Sequence, residues 1–156
     1  MKEKFLMLKQ SLRGKWQGEG YAKFPTITNT AYTEQLEFIP DDDKEAIFFN
    51  QKTWYKNETA DNSHTVFWDT GFIILKNNMV SLHSAQIGGR METLTLTASA
   101  AGKFIFDNTG ILNDIKTIQA QRIFSIEENA LHYQLNMATH EAGFQNHLTA
   151  TLRKIQ

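Results

Sequence analysis

The sequence predicts an all-β protein: a single closed antiparallel up-and-down β-barrel of about ten strands with a short N-terminal capping helix. Apolar and polar residues alternate through most of the chain, which is the pattern of half-buried strands. Turn-forming residues interrupt this alternation at the intervals typical of all-β proteins. Closure into a barrel hides the sheet edges and leaves an interior that can hold one small ligand, whereas a two-sheet sandwich is the alternative.

The helix is predicted first in the chain. Over 6–12, Leu8 and Leu12 can share one apolar face with Phe5. A helix this short is marginal alone, so we expect it to cap one end of the sheet. The strands then follow in order over 14–20, 32–38, 46–55, 64–75, 79–87, 90–98, 103–107, 111–116, 117–126, 130–138 and 144–154.

Length and composition indicate one domain. The chain has 156 residues, of which 41% are hydrophobic and 12% aromatic, so it can bury one core and is too short for two ordinary domains. We therefore expect residues 1–156 to form a single β-barrel domain. No internal repeat or linker interrupts it.

Net charge and cysteine content exclude several classes of partner and of functional site. The net charge of −1 gives no electrostatic footprint for nucleic acid or an anionic membrane, and a small-molecule ligand is the expected partner. No cysteine occurs, which excludes disulfides, thiolate metal sites and a cysteine nucleophile. The N-terminus lacks a secretory apolar segment and no stretch approaches the roughly 20 apolar residues of a membrane span. We expect a cytoplasmic protein, either a monomer or a homodimer.

The first strand is rich in glycine around one tryptophan. Gly14, Gly18 and Gly20 lack a Cβ, so another backbone, a large side chain or a ligand can approach this strand closely. We expect Trp16 to be a structural plug at the closed end of the barrel. Arg153, late in the last strand, is placed to stack on Trp16 in a cation–π contact.

The best candidate ligand residue is His147 in the last strand. Neutral imidazole is the commonest protein ligand for a metal or a heme iron. Simple alternation puts His147 on the face opposite Leu148 and Leu152, so an inward histidine needs outward leucines or a bulge near Asn146. His83 is a weaker candidate to line the cavity. No pair of histidines has the close helical spacing of a zinc enzyme.

Several segments together carry a family resemblance. The run from Gly14 to Gly20 fits the Gly-x-Trp-x-Gly-x-Gly signature of the nitrobindin family of heme-binding β-barrels. The segments that follow resemble that family in the same order, nearly to the end of the chain; they are Phe24-Pro25-Thr26-Ile27, Tyr32-Thr33-Glu34, Lys52-Thr53-Trp54, Thr70-Gly71-Phe72, Ser84-Ala85-Gln86 and Gln145-Asn146-His147-Leu148-Thr149-Ala150-Thr151-Leu152.

The resemblance implies a ferric heme b at the mouth of the barrel. It maps the iron-ligating histidine onto His147 and a threonine near the heme onto Thr26. Bound heme in this family is associated with nitric oxide binding and with isomerisation of peroxynitrite to nitrate. The segment Phe67-Trp68-Asp69-Thr70-Gly71-Phe72 stands where members usually carry His-x-Glu-x-Gly-aromatic, so the rim of the pocket is expected to be shaped differently.

Two other functions remain open from the residues alone. A lipocalin-like or fatty-acid-binding-like carrier would use aromatic residues such as Phe48, Trp54, Phe67 and Trp68 to line a cavity for a hydrophobic ligand. Alternatively, the barrel could be filled by its own side chains. Neither the sequence nor the resemblance identifies a catalytic acid or base, so an enzymatic role stays undecided at this point.

Overall fold

The computed structural model describes residues 1–23 and 29–156. One helix precedes ten strands, which confirms the predicted class; they are α1 (Lys2–Leu12), β1 (Gly14–Ala22), β2 (Thr30–Pro40), β3 (Ala46–Tyr55), β4 (Thr65–Lys76), β5 (Met79–Gln86), β6 (Met91–Ala100), β7 (Lys103–Leu112), β8 (Thr117–Glu127), β9 (Ala130–Thr139) and β10 (Gln145–Lys154).

Each strand pairs antiparallel with its neighbours in sequence, and β1 pairs with β10 to close the barrel. Closure leaves no free sheet edge among these ten strands. Alternate residues of each strand face inward, as the burial pattern of β2 shows most clearly. No helix in the described ranges is long and apolar enough to cross a lipid bilayer.

The predicted separate strand over 111–116 is wrong. The structure instead extends β7 through Leu112, and the chain then turns at Asn113, whose φ is +60°. Asp114 holds this turn because its carboxylate accepts the backbone N–H groups of Lys116 and Thr117 at 2.9 and 3.1 Å. Residues 108–110, which are of types common in turns, remain within β7.

One end of the barrel is closed by α1 and the tryptophan of β1. The apolar face of α1, formed by Phe5, Leu8 and Leu12, is buried in the core with the strand residues. Trp16 is 3% exposed, and its indole Nε1 donates to the carbonyl of Leu12 at 2.8 Å. The apolar face of α1 and its hydrogen bond with Trp16 thus hold the helix over this end of the barrel, as predicted.

The other end is the one at which β1, β3, β5, β7 and β9 finish, because strands run alternately up and down. Aromatic side chains fill the interior nearer the closed end. Phe124 is the centre of this group, with its ring centroid 5.6 Å from that of Phe38 and 5.3 Å from that of Tyr133. Among the described residues, the cavity that remains lies toward the open end.

Candidate functional site

A cavity of about 310 Å³ occupies the half of the barrel toward the open end. Most of its wall is apolar, contributed by Ala22, Val66, Phe67, Leu135, Met137 and Leu148. This cavity argues against the third possibility, a barrel filled by its own side chains. A concave apolar chamber with a few polar groups is the usual form of a small-molecule site.

His147 is brought inward by a β-bulge. The register of β10 against β9 shifts between Asn146 and Leu148, so one extra residue stands on the β10 side. His147 is 2% exposed, while Leu148 lines the cavity and Leu152 is fully buried. Because of the bulge, His147, Leu148 and Leu152 all face inward, although simple alternation would put His147 on the face opposite the two leucines.

The side chain of Asn146 braces the bulge. Its Nδ2 donates to the carbonyl of Leu148 at 2.9 Å, and its Oδ1 accepts the hydroxyl of Thr149 at 2.9 Å. Nδ2 is also 3.1 Å from Oδ1 of Asn136 on the neighbouring strand. These bonds satisfy polar groups that a bulge would otherwise remove from the ladder. The asparagine before the histidine thus has a local structural role.

The surroundings of His147 favour a neutral ring. Burial lowers the pKa of this imidazole below its ordinary value, because the charged form loses its hydration. The backbone carbonyl of His147 accepts the N–H of Lys23 at 2.7 Å, which fixes the strand beside the end of β1. A neutral imidazole on a fixed strand is the state in which histidine binds a metal.

The other predicted residues take varied places. Thr26 and the turn Phe24-Pro25-Thr26-Ile27 lie outside the described residues. His83, the weaker candidate, is exposed and hydrogen-bonds Ser81 at 2.9 Å, and it does not line the cavity. Among the described ranges, no group of three or more His, Cys, Asp or Glu side chains is arranged to hold a metal ion.

The glycines of β1 stand close to other groups. A Cβ added to Gly18 would overlap the backbone carbonyl of Thr151, and one added to Gly20 would overlap the ring of Tyr32. Gly14 begins the strand with a φ of +121°. These positions demand glycine for packing inside the barrel wall.

The cation beside Trp16 is Lys154, whose Nζ lies 5.6 Å from the ring centroid. Arg153 was expected there, but it is exposed and pairs with Gln17 in the β1–β10 ladder. The register of the ladder explains the correction, because Trp16 lies opposite Lys154. The contact belongs to the closed end, away from the cavity.

A buried ionic network crosses the inside of the barrel, and the sequence reasoning missed it. Arg122 is 2% exposed and bonds the carboxylates of Asp69 and Glu92 at 2.5 and 2.6 Å. Its Nη2 also donates to the hydroxyl of Ser84 at 3.0 Å, and that hydroxyl donates to Asp69 at 2.6 Å. Burial opposes the charge of Arg122, yet the two carboxylates raise its pKa well above the ordinary value.

The network continues from the interior to the open end. Arg90 lies 2.8 Å from Glu92 and donates through Nε to Asp114 at 2.8 Å. Burial alone would raise the pKa of Asp114, but hydrogen bonds from Thr117, Lys116 and Arg90 outweigh it and lower that pKa to about 2. An alternating chain of carboxylates and guanidiniums therefore joins the cavity wall to the loop after β7.

A second polar group lies on β2. Glu34 is fully buried, and its Oε2 accepts the amide of Gln51 at 3.3 Å. Burial raises the pKa of Glu34 to about 7, and the hydrogen bond from Gln51 offsets only part of that effect. Burial likewise raises the pKa of Tyr32 and Tyr133, with the charge of Glu34 adding to both shifts.

The segment 67–72, which departs from the family pattern, lies in β4. Phe67 lines the cavity, and Asp69 is buried against Arg122. Between them Trp68 faces outward, where its Nε1 donates to Asn50 at 2.7 Å and Lys52 lies 4.1 Å from the ring centroid. The cavity therefore gains an aromatic wall residue at Phe67, while Trp68 takes no part in it. This corrects the expectation that Trp68 could line the cavity.

Comparison with known proteins agrees with this architecture. The family model described as THAP4-like, heme-binding beta-barrel domain matches residues 7–154. The chain is 28% identical over 146 residues to a peroxynitrite isomerase of Arabidopsis thaliana, covering 92% of this chain and 85% of that protein. It is 27% identical over 150 residues to a peroxynitrite isomerase of Nocardia farcinica, covering 92% and 86% respectively.

A solved structure extends the comparison to the fold. The crystal structure of Rv2717c from M. tuberculosis superposes with a TM-score of 0.77 and covers 97% of this chain and 98% of that one. The sequence identity of this pair is 23%, so the likeness shows a shared fold.

Proposed function

Because the chain belongs to the family of THAP4-like, heme-binding β-barrel domains, we propose that it binds heme b through the imidazole of His147. We propose further that residues 1–156 act as one domain. The observation that carries the proposal is the bulge at Asn146, which turns a buried histidine inward at the end of the barrel where the cavity lies. A strand-borne histidine presents its nitrogen in a fixed position.

The residues present fit this group. The lowered pKa of His147 favours the neutral imidazole, the form that would bind a heme iron. Leu148, next to the histidine, and Ala22, its partner across the β1–β10 ladder, both line the cavity with apolar atoms. Phe67 and Met137 extend that apolar wall and exclude water.

A heme held by His147 would supply the chemistry of nitric oxide binding or of isomerisation of peroxynitrite to nitrate. Relatives named peroxynitrite isomerases support extending the proposal to these two small molecules. The protein's own part is to orient the imidazole and shield the pocket from bulk water. We assign no side chain as a catalytic acid or base.

A hydrophobic carrier without heme is not favoured. A fatty-acid carrier would need a cation in the cavity to receive the ligand's carboxylate. Arg122 and Arg90 are the cations that line the cavity among the described residues, but Asp69, Glu92 and Asp114 already neutralise them. Family membership and this charge balance together favour heme over a fatty acid.

Titration with hemin tests the proposal. We expect the purified protein to give a Soret band that His147→Ala weakens strongly, while His83→Ala, at an exposed histidine, leaves it unchanged. An apolar fluorophore bound in the cavity should be displaced by hemin. Equal Soret bands in the two variants, or a fluorophore that hemin does not displace, would contradict the proposed site.

A further inference from the structure

The inner end of the cavity carries polar atoms that no heme ligation uses. We call this region the floor: Tyr32, Arg122 and Tyr133 line the cavity there, and the buried side chains of Glu34 and Gln51 adjoin them. The hydroxyl of Tyr32 and the Oε1 atom of Glu34 are buried and have no hydrogen-bond partner among the described residues. Leaving a buried polar atom unpaired costs about 1–3 kcal/mol, so two of them on one face call for a partner.

The two side chains are neighbours on the same inward face of β2. Tyr32 is paired with Gly20 across the β1–β2 ladder, and Glu34 is paired with Gly18. Because glycine has no side chain, β1 contributes no polar group that could satisfy either atom. From the opposite side, Tyr32 and Tyr133 both line the cavity. The floor thus meets the chamber at Tyr32 and Tyr133, and the buried Glu34 lies near enough to both for its charge to raise their pKa values.

The charges around the floor disfavour an anion. Four of the five N–H donors of Arg122 are used, by Glu92 twice, by Asp69 and by Ser84. The chain of ion pairs contains three carboxylates and two guanidiniums, because Asp114 completes it beyond Arg90. The network thus leaves an excess of negative charge before Glu34 is counted.

The atoms that need partners are of matching chemistry. A carboxylate oxygen accepts hydrogen bonds, and a phenol oxygen can accept or donate one. Gln51 already supplies one donor to Glu34, which leaves Oε1 as an acceptor toward the interior. A ligand headgroup with several N–H donors and a positive charge would satisfy both Glu34 and Tyr32 and offset the negative excess.

We propose that the floor is a second ligand site, separate from His147, which binds the ammonium group of a small primary amine between Glu34 and Tyr32 while its short apolar tail lies along the cavity wall. The apolar wall includes Val66 and Leu135. The raised pKa of Glu34 agrees with a carboxyl group that lacks a counter-ion. The site does not depend on heme binding, because no residue of the floor is a proposed iron ligand.

Calorimetry with three matched probes tests the site. Hexylamine, hexanol and hexanoate share one tail and differ in the headgroup, so they separate the contribution of charge from that of apolar burial. We expect the full chain without hemin to bind hexylamine at least about tenfold more tightly than hexanoate, a difference of roughly 1.4 kcal/mol. Hexanol should fall between the two.

Two substitutions locate the binding. Glu34→Gln should weaken hexylamine about tenfold and leave hexanol within about threefold, since the amide keeps the shape and loses the charge. Tyr32→Phe should weaken both hexylamine and hexanol. The control is Glu37→Gln, at a carboxylate of the same strand that lies 4.0 Å from Lys15 in the neighbouring strand, and it should change neither affinity.

The outcomes separate this site from the heme site. Hexanoate binding as tightly as hexylamine, an equal effect of Glu34→Gln and Glu37→Gln, or no measurable heat with any probe would overturn the proposal; the last result would mean that the floor holds water only. Hemin titration of the Tyr32→Phe and Glu34→Gln variants should still give the Soret band. Loss of that band only in His147→Ala would support the two sites independently. If Glu34→Gln does not fold, Tyr32→Phe decides the question.

Discussion

The ring of Tyr32 occupies the space that a side chain at residue 20 would fill, because a Cβ built on Gly20 overlaps its ring atoms. The two residues are directly paired in the β1–β2 ladder. Tyr32 is 1% exposed and lines the cavity. The glycine of the first strand therefore sets the position of a tyrosine in the cavity wall, which links the sequence motif to the shape of the chamber.

Gly20→Ala should displace Tyr32 and destabilise the protein by about 1–3 kcal/mol, as overpacking of a filled interior does. Urea unfolding measures the loss. The matched control is Gly88→Ala, because a Cβ at Gly88 meets nothing within 4 Å. If both variants unfold at the same urea concentration, the close packing of Gly20 and Tyr32 has no energetic weight.

Arg122→Met should cost about 3–5 kcal/mol of stability, since it leaves the buried carboxylate of Asp69 without its cation and removes one of the two cations beside Glu92. Thermal or denaturant unfolding of the protein without hemin reports the change. Arg153→Met removes an exposed guanidinium and should stay within about 0.5 kcal/mol of the parent. A loss below about 1 kcal/mol in Arg122→Met would mean that the network contributes little, against the range for broken buried pairs.

Glu34 should make stability depend on pH. Its pKa rises from 4.5 to about 7 on folding, so between these values the unfolded chain releases a proton that the folded chain retains. The contribution is fully present below pH 4.5, falls as the pH rises to about 7, and is constant above. The total change is about 3 kcal/mol at 1.36 kcal/mol per pKa unit.

Glu34→Gln removes this titration. Urea unfolding at pH 5 and pH 8 should therefore show the variant gaining stability relative to the parent by up to about 3 kcal/mol more at pH 8 than at pH 5. The difference between the two proteins cancels other titrating groups. An equal difference at both pH values would show that Glu34 titrates normally in the folded state.

Asn146→Ala should loosen the bulge that turns His147 inward. The variant loses the bonds to the Leu148 carbonyl and the Thr149 hydroxyl, each worth about 0.5–1.5 kcal/mol. We expect a stability loss of about 1–2 kcal/mol and weaker hemin binding, both measured against Gln119→Ala, a substitution at an exposed position of β8. Equal hemin affinity in the two variants would show that the bonds of Asn146 do not help to position His147 for hemin binding.

Local pattern predicted most of the fold. Alternation identified the inward face of β2, and the apolar spacing of Phe5, Leu8 and Leu12 identified the helix, which begins at Lys2 in the structure. The extra strand over 111–116 was wrong, because β7 continues through Gly110 to Leu112. Propensity is local, whereas the ladder with β6 decides where this strand ends.

Less of the candidate functional site than of the fold could be predicted from the sequence. His147 could be singled out, and its inward direction depended on a bulge that alternation alone does not determine. Arg122 lies 53 residues from Asp69 and 30 from Glu92, so their pairing follows from barrel closure and leaves no local pattern. One signal was present, because Glu34 shares a strand face with the apolar residues Leu36 and Phe38.

Rescue by imidazole tests the role of His147 most directly. In His147→Gly the cavity keeps its walls and loses the nitrogen, so added imidazole should bind hemin in the vacated place and restore the parent's Soret band. His83→Gly should need no imidazole, since that side chain is exposed. A parent-like band in His147→Gly without imidazole would contradict ligation by His147.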